Sequence, residues 1–66
     1  MELNVQAIRL AMAEKELNVR TLAKASGLST TAINLWLNHG VCPRIDKLGT
    51  LAKALGVRVR EIVIID

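Results

Sequence analysis

A chain of 66 residues with formal charge +3, 52% hydrophobic residues, one cysteine and one histidine is a single small domain, near the lower limit at which an apolar core holds without metal or disulfides. Cys42 has no second cysteine to pair with and His39 no second histidine, so neither an internal disulfide nor a metal-ligand cluster is available, a usage that suits a reducing cytoplasm. No basic leader with an apolar run behind it is found, and no apolar run nears the ~20 residues that cross a bilayer, so a soluble, untargeted cytoplasmic protein is expected.

The first predicted helix covers Asn4 to Glu16. Asn4 is a candidate cap, Val5, Ile8 and Ala11/Met12 recur at helical spacing, and Arg9, Glu14 and Lys15 are left facing water. From Asn18 to Asn38 the chain reads as two short helices joined at Ser26-Gly27-Leu28. Asn18 and Ser29 can each accept a hydrogen bond from the free amides opening a helix. Gly27 can take the left-handed conformation that turns the chain between them. The helix from Val19 to Ser26 turns Leu22, Ala23 and Val19 inward and leaves Arg20 and Lys24 outward at i, i+4. The helix from Ser29 to Asn38 buries a stripe of Ile33, Trp36 and Leu37. Thr30, Thr31, Asn34, Leu35 and Asn38 remain for its outer side. Ala23, Leu28 and Ile33 meet under the turn. Trp36, the sole aromatic residue, reads as core, since a single-strand binder stacks bases on several rings.

The stretch His39-Gly40-Val41-Cys42-Pro43 is a connection that closes with proline just before the next helix. His39 suits a helix C-terminus, where a cation is favoured, and Cys42 reads as a small, partly buried hydrophobe. The fourth helix, Arg44 to Leu55, has Ile45, Leu48, Leu51, Ala52 and Leu55 on one face and stops at Gly56. Gly49 inside it is expected to permit a close approach to another helix. A fifth, short helix is predicted near Val59 to Val63, with Val57 and Ile62 inward. The final run Ile62-Val63-Ile64-Ile65 is more apolar and β-branched than a bundle this small requires. It is expected to form an interface through Val63, Ile64 and Ile65. It can pair as a strand with its copy or with Met1-Glu2-Leu3 of its own or a neighbouring chain, or fold over its own core.

The charges are uneven. No acidic residue stands between Glu16 and Asp46, whereas Arg20, Lys24 and Arg44 do, so a polyanion facing this segment meets no repelling carboxylate. The same pattern also fits a solvated helix face.

With Leu22-Ala23, Gly27, Ser29, Ile33, Pro43, Leu48, Leu51-Ala52 and Ala54-Leu55-Gly56-Val57, the chain resembles the helix-turn-helix domain of Cro and the lambdoid phage repressors, the XRE-like family, from about Ile8 to Ile62. The resemblance implies an all-α, five-helix bundle over residues 1–66, with the helix-turn-helix at about 18–38 and its third helix in the DNA major groove. It then implies base reading by Thr30, Thr31, Asn34 and Leu35. Asn34 would meet an adenine edge, and Leu35 or the threonine methyls a thymine methyl. Arg20, Lys24, Ser29, Asn38 and Arg44 would contact phosphates, helped by backbone amides at the helix starts.

Five positions depart from the family pattern. Met12 and Leu37 stand where an arginine and a glutamate usually form an ion pair, and their joint change to apolar residues predicts that the two still touch. Val19 replaces a glutamine that usually bonds the DNA backbone. The glycine after the third helix falls one place later, at Gly40, and Arg44 replaces a capping serine.

The function expected is a sequence-specific regulator of transcription, a repressor acting as a homodimer on a palindromic operator in double-stranded DNA. The alternative is the same bundle used as a protein-interaction module, or as the antitoxin of a toxin pair. No Ser/His/Asp arrangement, paired carboxylates, metal cluster or Gly-rich phosphate loop is present, so no catalytic residue, metal, cofactor or small-molecule ligand is expected.

Overall fold

Asn4 is the point at which an extended start becomes a helix. Its side-chain Oδ1 accepts from the Ala7 amide at 3.1 Å, and its own amide donates to the Ile62 carbonyl at 2.8 Å. One residue therefore caps the first helix and ties it to the far end of the chain. In the computed structural model, which describes residues 1–65, a short strand β1 (Glu2–Leu3) precedes helix α1 (Val5–Glu14), then α2 (Val19–Ser26), α3 (Thr30–Asn38) and α4 (Ile45–Leu55). After α4 come one 3-10 turn, Val59–Glu61, and a strand β2 (Val63–Ile64).

Each boundary of the α2–α3 pair has a local cause. The Asn18 side chain accepts from the Thr21 amide at 2.9 Å while the Thr21 hydroxyl accepts from the Asn18 amide at 2.8 Å, a reciprocal cap. Gly27 ends α2 at φ 76°, its amide bonded to the Ala23 carbonyl, in the left-handed region that L side chains avoid. Ser29 starts α3 by accepting from the Ala32 amide at 3.0 Å. The displaced glycine after α3 is used: His39 ends the helix, Gly40 turns at φ 70°, and the Val41 amide returns to the Leu35 carbonyl at 3.4 Å. At the start of α4, by contrast, the Arg44 side chain bonds no amide.

The helices share one apolar core. Ile8, Leu22, Ile33, Leu48, Leu51, Leu55 and Ile62 are each under 2% exposed, and burial of a side chain of this size stabilises by about 1.5–3 kcal/mol relative to leaving it in water. α2 packs against both α3 and α4, and α1 against α4. Met12 and Leu37 are both buried in this shared core. No charged or polar side chain is buried among the described residues. Ala23 and Ile33 are buried, with Leu28 half-buried against them.

Four expectations are corrected. The fifth helix is only a 3-10 turn, because the chain must straighten at Ile62 to enter β2. The tail itself follows one of the expected alternatives, β2 pairing antiparallel with β1 of the same chain, Leu3 opposite Val63 and Glu2 opposite Ile64. Ile45 is 79% exposed rather than inward; it is the first residue of α4 and precedes the turn that reaches the core. Gly49 allows no close approach, since a Cβ built there meets nothing within 4 Å, and Cys42 is exposed rather than partly buried. No helix among the described residues is long and apolar enough to cross a membrane.

Candidate nucleic-acid interface

α3 has two unlike sides. Ile33, Trp36 and Leu37 are buried beneath it, while Thr30, Thr31, Asn34, Leu35 and Asn38 are all exposed. The division follows from the 3.6-residue repeat, which returns 33, 36 and 37 to one face and 31, 34, 35 and 38 to the other, while Thr30 is exposed as the first residue of the helix. With its apolar side fixed in the core and both ends capped, α3 holds its outer side chains on a rigid support. Leu35, at 41% exposure, is the apolar member of that outer side.

The start of α3 offers backbone donors. The Ser29 hydroxyl takes the Ala32 amide and the Ser29 carbonyl takes the Ile33 amide. The amides of Thr30 and Thr31 have no partner among the described residues, the usual condition of a helix's first turn. They lie at the positive end of the helix dipole, where anions are favoured. The reciprocal cap of α2 leaves the amides of Val19 and Arg20 in the same state.

The cations expected at a phosphate strand are free at the surface. Arg20 and Lys24 are exposed one turn apart on α2, and Arg44 is exposed at the start of α4 with no cap bond. Ser29 is exposed as well but already employed as a cap. Val19 is half-buried against the core, so the position that usually holds a glutamine contributes packing here.

One residue was missed by the sequence reading. Arg9 of α1, expected only to face water, donates from Nη2 to Asn38 Oδ1 at 3.0 Å. Asn38 in turn donates from Nδ2 to Asn34 Oδ1 at 3.3 Å. The Asn34–Asn38 half of this chain was visible in the i, i+4 spacing. Nothing local connects Arg9 to it, because the two lie 29 positions apart.

The three residues assigned to the tail separate. Val63 is 8% exposed and belongs to the core, whereas Ile64 and Ile65 are 44% and 74% exposed. β2 turns Val63 inward and Ile64 outward, as a strand with one buried side does, and Ile65 lies beyond it. Exposed Leu10 on α1 and Met1, at 60% and 57%, add apolar surface elsewhere.

Among known proteins, a family model described as a Cro/C1-type HTH DNA-binding domain matches residues 7–66. No curated protein and no solved structure gives a match.

Proposed function

Because the chain belongs to the Cro/C1-type helix-turn-helix DNA-binding domains, we propose that it is a sequence-specific transcriptional regulator, a repressor that reads duplex DNA with α3. The observation that carries this reading is the outer side of α3. It presents Thr30, Thr31, Asn34 and Leu35 to solvent above a buried stripe, with unpartnered amides at the same helix start.

In the proposed mechanism phosphate contacts set orientation and base contacts set preference. Arg20, Lys24 and Arg44, with the first-turn amides of α2 and α3, hold the backbone. Asn34 offers the donor and acceptor pair that matches an adenine edge, and the methyls of Thr31 and Leu35 offer apolar contact to thymine. Ser29 serves phosphate through the helix start it caps. Asn38 adds its amide at the other end of the helix. The repressor acts in the cytoplasm as a two-fold dimer through Ile64 and Ile65, with Val63 supporting them from inside. Two α3 helices then sit about 34 Å apart on a palindromic site.

Selection of random duplexes on the purified chain tests the reading. A palindrome is expected, bound 10³-fold or more tightly than unrelated duplex, with about 1–3 kcal/mol lost per mismatched pair. Asn34→Ala should relax preference at one base pair per half-site. Arg20→Ala should weaken all duplexes alike and flatten the salt dependence. Binding that disappears uniformly with salt and favours no sequence would sink the proposal.

A further inference from the structure

We propose that Arg9 of α1 is a positioning residue for base recognition: acting through Asn38, it decides which way round the Asn34 amide faces a base. The inference rests on the reading of α3 given above and adds to it a residue from another helix.

The carboxamide group is nearly symmetric in shape, although its oxygen accepts and its nitrogen donates. A bidentate contact to adenine needs the amide nitrogen at N7 and the oxygen at the N6 amino group. Turned over, the same side chain sets donor against donor and acceptor against acceptor. Orientation thus matters as much as position.

Asn34 and Asn38 by themselves leave that orientation open. Either can donate to the other, and both are exposed on the same helix. Arg9 removes the degeneracy because a guanidinium has five donors and no acceptor. Only an oxygen of Asn38 can face it, and Oδ1 does so at 3.0 Å. The Asn38 nitrogen is then turned along α3, where it meets Asn34 Oδ1 at 3.3 Å. Donors run in one direction from Arg9 to Asn38 to Asn34. At the end of the chain Asn34 keeps both N–H groups and one oxygen lone pair for the groove, its oxygen toward the helix C-terminus.

Arg9 is exposed, so its removal leaves the core and the melting temperature unchanged. The readout is the ratio of affinities for duplexes differing at one base pair, measured on the full chain for the wild type, Arg9→Met, Arg9→Lys, Asn38→Ala and the double variant Arg9→Met/Asn38→Ala. Arg9→Met is expected to flatten preference about two- to tenfold, the range of one net hydrogen bond, at the base pair that Asn34→Ala also flattens. Arg9→Lys, still a pure donor, should keep most of the preference. Asn38→Ala should match Arg9→Met, with no further loss in the double variant. If Arg9→Met weakens every duplex equally and leaves the ratios intact, Arg9 is a phosphate contact and the proposal is overturned while the reading of α3 stands. If the wild type has no base preference at all, both fall.

Discussion

The segment from Asn18 to Asn38 and the segment from Arg44 to Ile65 contribute to the same core but are held by different means. In the first, two side-chain caps and a left-handed glycine set the starts of both helices and the end of α2 from within the segment. In the second, α4 starts at Arg44 without a side-chain cap, although it too ends at a left-handed glycine, Gly56, and β2 pairs with a strand from the other end of the chain. The comparison teaches that the helix starts of the first segment are set by neighbours in sequence, whereas the start of α4 and the final strand depend more on burial and distant contact. Local caps fix the start of α3, the helix that carries the proposed base contacts. The second segment relies more on packing and on pairing with the start of the chain.

Four experiments break or sharpen this contrast. The largest effect is expected at Ile62, 1% exposed and adjacent to the strand pair. Ile62→Ala should cost about 2–5 kcal/mol in urea denaturation, enough to leave so small a domain partly unfolded. A cost under about 1 kcal/mol would mean that burial does not hold the second segment. Gly27→Ala comes next. Nothing lies within 4 Å of the added Cβ, so the expected loss of about 1–2 kcal/mol is purely that of a left-handed backbone. Thermal melting of Gly27→Ala and Gly27→Asn checks this, with asparagine expected to lose less.

Removing the caps should have a slightly smaller effect. Asn18→Ala and Ser29→Ala are each expected to lose about 1 kcal/mol, and Ser29→Ala should also lower DNA affinity by loosening the start of α3. Equal stability with and without these side chains would erase the distinction between the segments. The smallest changes are gains in the second segment. Arg44→Ser installs the missing cap and Gly49→Ala removes a flexible residue from a helix with open space around it. Each should stabilise by about 0.5–1 kcal/mol in a thermal melt, whereas the same kind of addition in the already capped segment has nothing to improve.

The same contrast explains what could be read in advance. α2 was legible to the residue, Val19 to Ser26, because Asn18 and Gly27 are local signals at both its ends. The outer face of α3 was legible because Ile33, Trp36 and Leu37 repeat at helical spacing. The direction of Ile45 was not, because the apolar repeat of α4 begins one turn before α4 reaches the core. The final turn was misread as a helix, since Val59, Ile62 and Val63 stand at i, i+3 and i+4. Only its pairing with Glu2 and Leu3 makes the end of that run a strand. Arg9 was missed for a related reason: its partner on α3 is set by how α1 and α3 cross, which no spacing within either helix records.

The strand pair between Leu3 and Val63 has a consequence for kinetics. It closes a loop that spans nearly the whole chain, and long loops meet their closure entropy before their contacts repay it. The pair should therefore be among the last contacts to form during refolding and the first to open in the native state. Amide hydrogen exchange would register this as fast deuterium uptake at Leu3 and Asn4, well ahead of the interior of α2.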